Sequence, residues 1–310
     1  MNGENRNKKL TQQERQLWAA TQEGIPIERA RAYIELAEIE REKYKFKDAV
    51  ALYDTALELI EAESEIDYAP DLAQVLYEKA GVLSLLNRFE EEIEVIDKAI
   101  DVAAQYEVGD VPSLLRAAGR AFHALKDDEG SIRAHQIAHE YPDPDVTEDS
   151  LAIDHLNIGM SLSRLKRYDE AIERLQIARD AFKKLKEPKW VAICDGEIAE
   201  TYVGLNDGVN IEKYAQLALG TAQIVEDRYR QWWLHYFLGI AKRLQGDLDQ
   251  GLEHLEIGRN LALSHGCEEF RYLVKVDLEV AEIYAIKGME KQSQELQRRA
   301  RNVEEILEVA

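Results

Sequence analysis

The chain has 310 residues, with 60 acidic against 39 basic side chains and a formal net charge of −21. A hydrophobic share of 45% supplies a sizeable core, and 17 glycines and 6 prolines are too few for a loop-rich or disordered chain. The charge argues against a nucleic-acid binder, which needs a basic face for counterion release, and against docking on anionic membrane surfaces; it favours partners of basic character.

The two cysteines, Cys194 and Cys267, lie far apart with no metal-type spacing, which predicts neither a disulfide framework nor a zinc site and suits a reducing compartment. The N-terminus has no apolar core of the signal-peptide kind, and no apolar run approaches the roughly 18 residues of a membrane span. A cytoplasmic location is expected.

Residues 1–9 are expected to be disordered, and residues 10–26 to form a capping helix that covers the first repeat through Leu10, Leu17 and Trp18. Beyond them the chain repeats. The clearest copy is Asp154–Phe182, which reads as two amphipathic helices joined by a turn at Lys166–Arg167. Small residues stand where the helices must cross closely: Gly159 on the first, Ala171 and Ala178 on the second. Bulky residues (Ile158, Leu162, Tyr168, Ile172, Leu175) fill the space between.

Aligning the rest to this copy places a small anchor residue at Ala37, Ala80, Gly119, Gly159, Ala199, Gly239 and Ala281. The spacings are 43, 39, 40, 40, 40 and 42 residues. Seven copies at a period near 40 predict one all-α repeat array over residues 27–308, with units at 27–66, 67–107, 108–146, 147–187, 188–226, 227–266 and 267–308. The second helices follow in phase. The fifth copy requires about four extra residues in its turn, Asn206–Asn210, to bring Ala215 and Ala222 into place. Glu92 is the poor fit at a close crossing and is expected to swing outward. All six prolines are expected in joints or first turns, none inside a helix. A polar last helix, from about Lys291 to Ile306–Val309, suits a terminal repeat without a neighbour.

This pattern resembles the tetratricopeptide repeat, whose helix–turn–helix unit carries a small residue in its first helix and alanines in its second. The resemblance implies a right-handed α-α superhelix. The usual tryptophan near the start of the first helix is mostly replaced, for example by Tyr33, Leu76 and His155. The period is longer than the usual 34 residues, and such long repeats are similar to those of kinesin light chains, Pins-type spindle-orientation proteins and bacterial Rap-type peptide-sensing regulators.

No nucleotide, metalloprotease, hydrolase or calcium-loop motif occurs, so no catalytic residues and no cofactor are expected. His135 and His139 stand four apart on one helix, but a third and a fourth metal ligand would have to come from elsewhere, and ordinary packing histidines are expected. The carboxylate runs Glu90–Glu92, Asp127–Asp128 and Glu304–Glu305 fall at helix starts or on solvated faces, where negative charge favours a helix N-terminus without any catalytic role.

In the resembling family the first helices line the concave surface. Carried onto this chain, that places Arg116, Arg120 and His123 in the third unit and Asn157, Met160, Ser163 and Arg164 in the fourth. Glu197 and Glu200 follow in the fifth, then Trp233, Tyr236 and Arg243 in the sixth. Spacings of three and four residues put each set on one helix face. Arg116, Arg120, His123 and Arg164 would form a positive patch inside an acidic shell, suited to an acidic side chain, a C-terminal carboxylate or a phosphate. Glu197 and Glu200 would take a basic residue. Asn157 matches the asparagine with which related proteins hold a peptide backbone, although the other copies lack it. Five large rings between Tyr229 and Phe237 cannot all face inward, which leaves Trp233 or Tyr236 as a groove anchor. The expected function is a non-enzymatic scaffold holding a protein or peptide segment; the alternative is a peptide-responsive regulator that changes superhelical shape. Regulators of that type carry an N-terminal effector module, for which residues 1–26 are too short.

Overall fold

The same turn closes one helical hairpin after another. The computed structural model describes residues 11–63, 65–141, 147–264 and 270–309, and among these residues it contains fifteen helices and no strand. A single helix, α1 (Gln12–Ala20), precedes seven hairpins. These are α2 (Pro26–Glu42) with α3 (Phe46–Glu61), α4 (Glu65–Leu85) with α5 (Phe89–Tyr106), and α6 (Val111–Ala124) with α7 (Asp128–Glu140). Then come α8 (Glu148–Arg164) with α9 (Tyr168–Leu185), α10 (Pro188–Gly204) with α11 (Gly208–Ile224), α12 (Arg228–Leu244) with α13 (Leu248–Ser264), and α14 (Phe270–Ile286) with α15 (Glu290–Val309). The expected helical-repeat architecture with an N-terminal capping helix is therefore present. The predicted segment 1–9, Leu10, Pro142, Pro144 and Cys267 lie outside the described residues.

Each hairpin turn holds one residue in the left-handed region: Tyr44, Asn87, Lys126, Lys166, Asn206, Gly246 and Gly288. These positions repeat with the same spacings as the anchors. The amide after each of them donates to a carbonyl five residues back, as in Arg167 N to Leu162 O at 2.9 Å and Asp247 N to Lys242 O at 2.9 Å. This is the Schellman closure, which satisfies carbonyls that a helix end leaves bare. Aspartates at the start of several second helices then cap them: Asp127 accepts from Gly130 N at 2.9 Å and Asp207 from Asn210 N at 3.1 Å.

The small anchors are needed for close approach. A Cβ on Gly159 would stand 2.7 Å from Leu175 Cγ and 3.2 Å from the Ala171 carbonyl oxygen. One on Gly239 would meet Leu255 Cγ at 2.6 Å and the Gly251 carbonyl oxygen at 3.2 Å. Ala37, Ala80, Ala199 and Ala281 are buried at the same register in their hairpins.

The hairpins fall into two compact units, residues 1–145 and 146–310. In the first, α1 to α7 enclose a core that includes Leu36, Tyr53, Ile60, Leu76 and Ile96. Helix α1 is capped by Thr11 and packs Trp18 edge-on against Tyr33 at 6.3 Å. In the second unit, α8 to α15 bury Leu175, Phe182, Ile198, Ile211 and Leu234 in one cluster and Leu255, Tyr272 and Ile283 in another. Within each unit neighbouring first helices touch one another, and each second helix packs its backbone against first helices. No helix among the described residues is long and apolar enough to cross a membrane.

Three sequence expectations are corrected. Pro70 lies inside α4, in its second turn, just beyond the four N-terminal amides that lack intrahelical partners, so it forfeits one backbone hydrogen bond. The turn at Asn206 has no extra residues; α11 begins at Gly208, and fully buried Ile211 takes the place where every other copy but the second has a small residue. Glu92 does not swing outward. It is 2% exposed, and its Oε2 lacks a hydrogen-bond partner. Burial raises its carboxyl above the ordinary range, offset in part by the Ser84 hydrogen bond and the Arg120 charge.

The anchor geometry gives a contrast between glycines. Gly159→Ala should destabilise the protein by about 1–2 kcal/mol, because overpacking outweighs the helix-propensity gain of roughly 1 kcal/mol. Gly220→Ala, where nothing lies within 4 Å of the added carbon, should instead stabilise it by up to about 1 kcal/mol. Denaturant melts of both variants test this.

Candidate functional site

In the second unit the first helices α8, α10, α12 and α14 form one layer, and most of the groove residues expected there sit on it. Asn157 and Met160 of α8 are half-buried, with Met160 packed on the core cluster. The Thr201 hydroxyl of α10 lies 3.0 Å from Ser163 Oγ and 2.8 Å from the Glu197 carbonyl oxygen, which ties α8 to α10. Arg164, exposed at the end of α8, projects its charge toward both Glu197 and Glu200.

Those two carboxylates stand one helical turn apart on α10 and share an environment. Burial is the main cause of the upward shift of the Glu197 carboxyl, and the neighbouring Glu200 charge adds to it; Arg230 and Arg164 offset this only in part. Glu200 is exposed, yet the protein around it desolvates its carboxylate and raises it too, against the charges of Lys275 and Arg164. Perturbed carboxylates of this kind mark places where a charged group is held short of its preferred solvation.

Helix α12 supplies the aromatic part. Trp232 turns inward, 6% exposed, and stacks on Tyr272 at 5.6 Å, while Phe237 is also buried. Trp233 and Tyr236 remain half-buried, edge-to-face with each other at 5.8 Å. Lys275 of α14 places its ammonium 4.9 Å from the Trp233 ring centre, a cation–π distance. The Tyr236 phenol is held above its ordinary range by burial and by the charges of Glu279 and Glu200. Arg243 is committed rather than free: it donates to Glu279 at 2.9 Å and lies 3.0 Å from Glu282.

The four helices thus bring together Arg164, the Glu197/Glu200 pair, Trp233 with Tyr236, and the Lys275, Glu279 and Glu282 face. Sequence reasoning missed Lys275, Glu279 and Glu282 as site residues. Their spacing of four and three residues marks one helix face, and that signal was available in the seventh copy.

The first unit does not present the expected arginine patch in open form. Arg116 is 8% exposed and already engaged, because its position on α6 turns it into the packing between helices. Arg120 is exposed, and its charge acts on buried Glu92. His123 Nδ1 lies 3.8 Å from Asp128 Oδ1. Arg164 belongs to the second unit. His135 is fully buried against Gly119, and His139 is half-buried.

No family model and no curated protein matches the sequence. Solved structures do match the fold. The chain is similar to the apo form of RapI at 17% identity and a TM-score of 0.70, covering 91% of this chain and 99% of that one. It is similar to a signal transduction ATPase with numerous domains that bears a tetratricopeptide-repeat sensor, from Pyrococcus horikoshii, at 14% identity and a TM-score of 0.69. That match covers 96% of this chain but 45% of the ATPase. A Rap protein complexed with competence and sporulation factor matches at 16% identity and a TM-score of 0.57, over 88% of this chain and 75% of that one. At these identities the likeness establishes the fold: a helical-repeat solenoid of the tetratricopeptide type.

The Glu197 environment has a consequence for pH. Its folded pKa is raised, so the folded state holds the proton longer than the unfolded chain, and the ionised carboxylate weakens the fold as pH rises from about 4.3 upward. Glu197→Gln should therefore raise the melting temperature by about 2–4 °C at neutral pH and by less near pH 4. Thermal melts across that range check the sign.

Proposed function

We propose that the chain is a non-enzymatic binding scaffold that holds a protein or peptide segment on the first-helix layer of its second unit. The observation that carries the reading is the Glu197/Glu200 pair beside Trp233 and Tyr236. A basic side chain or an amino terminus of the bound segment would return to these carboxylates the counter-charge they lack, and the half-buried rings would supply apolar anchoring area at little entropic cost. Asn157 offers both a donor and an acceptor to an extended backbone. The fold likeness to RapI and to a Rap protein complexed with a factor supports the reading without specifying a ligand.

The burial of Arg116 moves the emphasis away from an acidic ligand group at the Arg116/Arg120 patch and toward a basic one at α10. The strongly acidic chain steers such a ligand from a distance.

A positional-scanning peptide library bound to the immobilised protein tests this. The reading predicts selection of Lys, Arg or a free N-terminus at one position. That selection should be lost in the Glu197→Gln/Glu200→Gln double variant, and Trp233→Ala should weaken the selected peptides by about tenfold or more. Selection that persists unchanged in both variants would contradict it.

A further inference from the structure

Arginine–aspartate pairs join hairpins in the second unit at a recurring register. Arg179 of α9 donates through Nε to buried Asp195 of α10 at 2.6 Å. Arg259 of α13 stands eighty residues later and pairs with buried Asp277 of α14 through Nη2, an atom that makes no hydrogen bond of its own. The second aspartate also pairs with another arginine: Arg299 of α15 donates to Asp277 through Nε at 2.6 Å. Two guanidinium groups, with about ten N–H donors between them, therefore share one carboxylate with about four lone-pair sites. The imbalance shows in the arginines themselves. Asp195 strengthens the charged form of Arg179, whereas burial first and the Arg299 charge second weaken that of Arg259.

Two cavities flank this triad and share Arg259 and Arg299. One, of about 420 Å³, is lined also by Tyr284, Gln292, Arg298 and Asn302, with Glu295 as its carboxylate. The other, of about 290 Å³, is lined by Leu263, Leu273, Val274 and Val303 around the same two arginines and Asp277. Leu263 is 55% exposed there, an apolar side chain without cover. Among the described lining residues, Asp277 and Glu295 stand against three arginines, within a chain of net charge −21; the Glu256 charge also acts on Arg259. Asp277 lies two residues from both Lys275 and Glu279, so helical periodicity points it away from the face they share.

We propose that the Arg259–Asp277–Arg299 triad is a carboxylate-binding site for a ligand with an apolar group beside its acid. The carboxylate takes the surplus guanidinium donors in fork geometry, and the apolar group covers Leu263 and Leu273. A peptide C-terminus ending in an apolar residue and a fatty acid share this chemistry. The site is separate from the inner-face reading and stands or falls without it.

Titration calorimetry with N-acetyl-Gly-Gly-Leu as the free acid, with its C-terminal amide and with decanoate tests the proposal on the full chain. At least one of the two acids should bind saturably. Tighter binding of the tripeptide assigns a peptide terminus, tighter binding of decanoate a fatty acid, and the amide should bind at least about tenfold more weakly than the acid tripeptide if that is the ligand. Arg299→Gln should weaken the bound acid by about tenfold or more. Leu263→Glu, on an exposed side chain, should abolish binding by placing a carboxylate in the apolar cavity. Failure of both acids to saturate at about 10 mM, or retention of full affinity in both variants, would overturn the proposal.

Discussion

Everything in this chain depends on how closely two helices approach within one hairpin. At Gly159 and Gly239 the second helix comes so near that an added Cβ would collide with a leucine and crowd a backbone carbonyl. Interiors packed this densely tolerate little extra volume, so the residue at this position is confined to glycine or alanine. The close crossing fixes where the first helix must end, and the turn answers with the same left-handed residue and the same amide-to-carbonyl closure in all seven hairpins. Helix contact and turn chemistry therefore specify one geometry between them, a consistency across levels that favours a single native state.

The inner faces follow from this packing. Neighbouring first helices touch, so side chains on their open face meet those one repeat away. In the second unit these neighbours mix both signs: Arg164, then Glu197 and Glu200, then Arg230 and Arg243, then Lys275 with Glu279 and Glu282. Some of the charges neutralise one another, as Arg243 does with α14. Others are left short, and the raised Glu197 and Glu200 carboxyls are the clearest case. A surface of this kind offers a ligand more than area, because a cation placed there relieves an electrostatic cost already present in the free protein.

The fold was legible because its constraint is local and periodic. Seven small anchors at a spacing near 40 gave the hairpins, and the turn residues confirmed their phase. Legibility failed where a rule of thumb met a compensating environment. Proline ordinarily marks a joint, yet Pro70 is absorbed in the second turn of α4. The expectation of a small residue at the fifth crossing shifts Ala215 into it, yet Ile211 fills that place, fully buried in the same core cluster as Ala199. A charge was expected to leave a tight crossing, yet Glu92 stays buried beside Ser84. The candidate site was partly legible. Helical spacing placed Glu197, Glu200, Trp233 and Tyr236 on first helices, but whether an arginine is open or packed, as Arg116 shows, depends on neighbours that spacing alone does not name. The Arg259–Asp277–Arg299 cluster was invisible for the same reason, since its three members come from three helices.

The central claim is that a bound segment lies on the first-helix layer of the second unit. Hydrogen exchange read by mass spectrometry, with and without a peptide selected by the protein, tests it most directly. The account predicts added protection in α8, α10, α12 and α14 around Ser163, Glu200, Tyr236 and Glu279, with α9, α11 and α13 unchanged. Protection confined to the second helices would contradict it.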